Sequence, residues 1–115
     1  MDTLPVTSKS EDELFEMANL YPRRTGLPMT VWASPRGHAR HDARIKVSSV
    51  MGERMILDDC AVVAVRPEPR LVEGSLSTDE FGLVARWVTL NRDALLRFWE
   101  GELDSGDFIE RLVKV

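Results

Sequence analysis

Between Gly74 and Ser77 the hydrophobic pattern of this chain changes period, and that change constrains the fold more than any single residue does. Upstream, from Leu27 to Val72, apolar residues come in short runs separated by Pro, Gly and Asp, the grammar of strands and turns. Downstream, Ser77-Thr78-Asp79-Glu80 has the spacing of a capping box. Phe81, Val84, Ala85, Val88 and Leu95 then recur at helical intervals, with Trp87, Leu90, Ala94 and Phe98 widening the stripe. Strands gathered in one stretch and helices in another predict an α+β domain rather than an alternating βαβ one.

Within the strand region, Met29-Thr30-Val31-Trp32-Ala33 reads as the first strand. Ala43, Ile45 and Val47 alternate with Arg44, Lys46 and Ser48 as the second, with one buried and one solvated face. Arg54–Leu57 reads as an optional short strand, and the continuous apolar run Ala61–Val65 as a central one. Pro67 and Pro69 place Leu71-Val72 at an edge, where missing proline donors cost little. At the N-terminus, Ser10-Glu11-Asp12-Glu13 repeats the capping box, and Leu14, Phe15, Met17, Ala18 and Leu20 give the following segment a helical apolar side that Pro22 closes. The long C-terminal helix is expected to run through Phe98 and end near Gly101, and Asp104 or Ser105 to start a last one. The expectation is a flexible tail over 1–9 and a single domain over 10–115. That domain is a small twisted, mainly antiparallel sheet of about four strands, with an N-terminal helix and C-terminal helices packed on one face.

At 115 residues and 43% hydrophobic, the chain is large enough to bury a core without disulfides or metal. A single cysteine, Cys60, cannot bridge within the chain; it reads as a small buried hydrophobe, with acids rather than cations beside it. With no signal-peptide order at the N-terminus, a reducing cytoplasm is the expected compartment. No apolar run approaches the roughly 20 residues of a membrane span. Charge is segregated: residues 21–54 hold seven bases against two acids in a chain of net charge -4. The acidic whole argues against broad coating of nucleic acid, which needs many phosphate contacts, but leaves room for a local basic patch.

That patch runs from Ser34 to Val47 and holds Arg36, His38, Arg40, His41, Arg44 and Lys46, the candidate binding residues. His38, His41 and Asp42 are a poor metal set, because a His-x-x-His pair in a Gly-Pro loop lacks the helical i, i+4 face and four cations oppose a divalent ion. We therefore expect no metal, no cofactor and no catalytic residue. A histidine general base with arginines around a phosphodiester is the enzymatic alternative. Recognition of an acidic partner by arginine forks needs no special spacing, and a solvated sheet face explains the same residues with no function at all. Trp87 and Trp99 lie on helical apolar positions and belong to the core; Trp32, next to the basic loop, is the candidate aromatic contact.

A further pattern joins these segments: Pro28-Met29-Thr30-Val31, Arg44-Ile45-Lys46-Val47, Trp87-Val88-x-Leu90-Asn91, Trp99-Glu100-Gly101-Glu102 and Leu112-Val113-Lys114-Val115. Over residues 27–115 the chain resembles domain-of-unknown-function family 4160, small bacterial proteins often encoded in toxin–antitoxin-like pairs. Where that family shows a His-x-His-Val strand, this chain has Arg44-Ile45-Lys46-Val47, with His38 and His41 upstream. The resemblance implies an α+β fold and a protein partner. The resulting expectation is a non-enzymatic interaction module of a bacterial defence, toxin–antitoxin or mobile-element system, binding or inhibiting a protein that handles nucleic acid. Direct nucleic-acid contact is secondary, no membrane is involved and the oligomeric state is open; the alternative is a small RNA-cleaving or RNA-binding protein using the His38/His41 loop.

Overall fold

The computed structural model describes residues 17–52 and 60–115. These build a five-stranded antiparallel sheet whose strands follow one another in chain order: β1 (Ala18–Leu20), β2 (Met29–Ala33), β3 (Arg44–Met51), β4 (Ala61–Ala64) and β5 (Arg70–Glu73). A short helix, α1 (Pro22–Thr25), joins the first two. Three helices follow the sheet: α2 (Thr78–Leu90), α3 (Arg92–Trp99) and α4 (Ser105–Arg111). The fold is thus the expected α+β, with one strand more than the four foreseen.

Among the described residues, register explains why the sheet has one face covered by helices and one, here called the open face, that no described helix covers. Leu20, Val31, Val47 and Ala61 stand in a single row across β1 to β4, and every one is buried among the residues of the helices. The next row, Asn19, Trp32, Lys46, Val62 and Glu73, points the other way because side chains alternate along each strand. On the covered side Val84, Trp87, Val88, Leu95, Phe98, Trp99 and Phe108 complete the core, and Phe98 stacks on Phe108 with ring centroids 4.4 Å apart. Trp87 and Trp99 are core residues, and Trp32 is half-buried on the open face.

The extra strand replaces part of the expected N-terminal helix. Ala18 and Leu20 are buried and Asn19 between them is exposed, a period of two that pairs with Ala33, Trp32 and Val31 of β2. Two apolar positions two apart fit either element, and pairing to an existing strand decides between them. Pro22 does not close a helix; it opens α1 at its first position, where a missing N–H costs nothing. Gly26 caps α1 at φ 82°, and a Cβ there would meet the Val115 carbonyl oxygen at 2.7 Å. The C-terminus is fastened at that point, with the Val115 N–H donating to the Thr25 carbonyl at 2.9 Å.

The long helix expected through Phe98 is two. Both halves of the capping box at Ser77 form, the hydroxyl accepting from the Glu80 N–H at 3.0 Å and the Glu80 carboxylate from the Ser77 N–H at 2.9 Å. The break comes at buried Asn91, whose side chain donates to the carbonyls of Trp87 and Val113 and accepts from the Val113 N–H at 2.8 Å. An asparagine that bonds backbone in this way competes with the helix ladder. One consequence is that Leu90, expected in the apolar stripe, is exposed. Asp104 caps α4 through the Asp107 N–H, and Gly101 takes φ 81° between the two last helices. Ser48 is buried instead of solvated, and Cys60 is half-buried and carries no disulfide. The Ser10 capping box, the 1–9 tail and the Arg54–Leu57 strand lie outside the described residues.

Candidate functional site

The open face of the sheet carries the basic strand, and the loop between β2 and β3 closes one end of it. That loop is built by a chain of ion pairs. Arg66, just past β4, grips Asp42 with both arms of its guanidinium, Nε to Oδ2 and Nη2 to Oδ1, each at 2.8 Å. This fork is the main reason the Asp42 carboxyl sits at about 2, below its ordinary 3.8, with the Ala43 N–H contributing next. Arg66 also reaches Glu100 at 3.6 Å, and Glu100 lies 3.8 Å from Arg36. The Arg36 N–H donates to the Trp99 carbonyl at 2.9 Å, so the loop is fixed to the end of α3 through backbone as well as side chains.

The six candidate basic residues are divided by this arrangement. Arg36 faces Glu100 and is partly neutralised. His38 and Arg40 are exposed at the loop tip, with no side-chain hydrogen bond or ion pair to any described residue. His41 rests on Trp99, ring centroids 5.5 Å apart, and its Nδ1 lies 2.8 Å from the Asp42 carbonyl oxygen. A carbonyl only accepts, so that bond puts the proton on Nδ1 and leaves Nε2 as the ring's free position. Arg44 and Lys46 stand on the open face, and the Lys46 ammonium sits 5.0 Å from the centre of the Trp32 ring, within cation–π range. Neither cation is in an ion pair with a described residue.

Trp32, His41, Arg44 and Lys46 line one shallow concavity of about 360 Å³, together with Met17, Ser34, Cys60, Val62 and Glu73. Four residues singled out by sequence therefore converge on it, and Arg36, His38 and Arg40 do not. Its floor is Val62, directly opposite Lys46 in the sheet, and its far wall is Glu73, opposite Val62. Sequence reasoning did not find Val62, Glu73 or the clamp from Arg66, because each depends on strand register. Arg70, beyond Ala64 in the row of Arg44, adds a further cation to the same face.

Among the described residues no group of three or more His, Cys, Asp or Glu side chains is placed to hold a metal ion, and Asp42 is committed to Arg66. No helix of the described residues is long and apolar enough to cross a membrane. A second depression of about 460 Å³ lies at the start of α2 beside Ser48, Ser49, Ser75 and Leu76, where Ser77 and Glu80 are already joined in the capping box. No protein family, curated protein or solved structure matches the chain.

Proposed function

We propose that this protein is a non-enzymatic interaction module that uses the open sheet face to bind an acidic segment of a partner protein. The observation that carries the reading is the half-buried Trp32 with Lys46 across its ring and Arg44 beside it, neither cation in an ion pair with a described residue. A rigid aromatic flanked by cations that pair with no described carboxylate, in a shallow concavity, is suited to an anchor residue and its carboxylates. The spacing resemblance to small proteins encoded in toxin–antitoxin-like pairs supports a setting in bacterial defence or a mobile element, with a partner that itself handles nucleic acid.

A second reading, contact with RNA, is favoured by one observation: His41 lines the same concavity as Arg44 and Lys46. Binding fits this better than cleavage. General acid–base work needs two groups within reach of one bond. Between His41 and Glu73 along this face stand Arg44 and Lys46, cations suited to holding a phosphate rather than to exchanging a proton with it.

Affinity capture with wild-type protein and with Arg44→Glu/Lys46→Glu as parallel baits tests the proposal. The expected result is a partner retained by wild type at low salt and lost from the double variant. Equal recovery on both baits would remove the open face from the function, and RNA recovered in place of protein would establish the second reading.

A further inference from the structure

The outer edge of the sheet at β5 has an unmet demand of its own. All four residues Arg70–Glu73 are exposed, and β5 pairs with β4 on one side and with no strand of the described residues on the other. An edge of this kind presents a row of open backbone donors and acceptors. Here it adds two apolar side chains, Leu71 at 37% and Val72 at 39% exposure.

A bulge arranges its charges. Leu71 opposes Val63 and Glu73 opposes Val62, which makes Val72 the extra residue. Arg70 opposes Ala64, and Ala64 and Val62 are two apart on β4 and share the open face. Arg70 and Glu73, three apart in sequence and otherwise on opposite faces, are thereby brought to the same one.

We propose that β5 pairs antiparallel with β5 of a second copy of this chain, about a twofold axis between Leu71 and Val72, making one continuous sheet across a homodimer. In that register Arg70 stands opposite Glu73 of the partner subunit, Glu73 opposite Arg70 of the partner subunit, and Leu71 opposite Val72 of the partner subunit. Both charge pairs are of opposite sign and lie on one face, and any slip of register breaks both. The edge is confined to these four residues by Pro69 before it and by Gly74, at φ 76°, after it. Such an isologous contact closes on itself instead of propagating. The other edge strand, β1, reads Ala-Asn-Leu and offers no charge to complement Arg70 or Glu73, so head-to-tail growth is not matched. In the dimer the open faces of the two copies continue across the seam.

Sedimentation equilibrium on the full chain tests this. A seam of only four residues a side predicts a weak, concentration-dependent monomer–dimer equilibrium. Arg70→Glu and Glu73→Arg, each folded by circular dichroism, should each weaken dimerisation about tenfold or more, because both cross-strand pairs turn from attraction to repulsion. An equimolar mixture of the two variants should recover dimer, since one brings two acids and the other two bases to the same seam; so should the double swap in a single chain. A wild type that stays monomeric up to about 1 mM, the weak end of the affinity scale, would overturn the proposal. So would single variants that dimerise as wild type does, or a mixture that does not recover.

Discussion

Asp42 shows how a single exposed carboxylate can shape a functional surface. Its fork to Arg66 ties the β2–β3 loop to the end of β4, and through Glu100 to α3, so that His41 is presented against Trp99 instead of swinging in solvent. The folded carboxyl sits at about 2 and the ordinary value is 3.8. A depressed value means that its contribution to stability is complete above the unfolded value and is lost as pH falls toward the folded one. The side chain is half exposed, so solvent screening holds that contribution to about 0.5–1 kcal/mol. Asp42→Asn should therefore lower stability by that amount at pH 7, and urea melts should show the gap to wild type closing between pH 4 and pH 2. Trp99 is the other decisive residue of the loop, buried on its core side and in ring contact with His41. Trp99→Ala should cost about 3–5 kcal/mol in chemical denaturation. A melt unchanged from wild type would place the ring outside the core.

Among the elements, the junction of α2 and α3 concentrates the most structure in one side chain. Asn91 is buried and bonds Trp87 on one side and Val113 on the other, holding the C-terminal residues against the helices. Asn91→Ala takes the side-chain partner from the Val113 N–H and the Val113 carbonyl, while the Trp87 carbonyl keeps the backbone N–H of residue 91, and should destabilise by about 2–3 kcal/mol, with faster amide exchange at Val113 and Val115. A Ser77→Ala change, by contrast, removes one cap and should cost about 1 kcal/mol. The capping box at Ser77, a last helix starting at Asp104 or Ser105, the bounds of β2 and the edge position of β5 were legible in sequence, because each rests on local backbone chemistry or proline placement; the structure settles the cap on Asp104. The strand at Ala18–Leu20 was not, since three residues cannot distinguish a period of two from a period of 3.6. Nor was the break at Asn91, whose partner Val113 is 22 residues away. At the site, alternation along β3 sufficed to place Arg44 and Lys46 on one face. Which residues face them from β4 and β5 depends on register and on the bulge at Val72, and neither is written in local pattern.

Across the described residues, the core-forming helical residues lie on one side of the sheet, and the side that no described helix covers carries cations that the acidic composition otherwise outweighs. Exposed charges on that side add little to folding. Arg44→Glu/Lys46→Glu should therefore melt within about 0.5 kcal/mol of wild type while losing its partner, a separation of stability from function that a core residue does not allow. The three tryptophans distinguish binding at the open face from binding elsewhere, because Trp87 and Trp99 are buried and Trp32 alone belongs to that face. A ¹⁵N–¹H titration of the protein with an oligoglutamate peptide at low salt follows all three indole N–H signals at once. The Trp32 indole and the amides of Arg44 and Lys46 should shift with saturation, the Trp87 and Trp99 indoles should not move, and the shifts should vanish in the double variant; indole shifts spread over all three rings, or a Trp32 signal unmoved by the peptide, would rule out recognition at the open face.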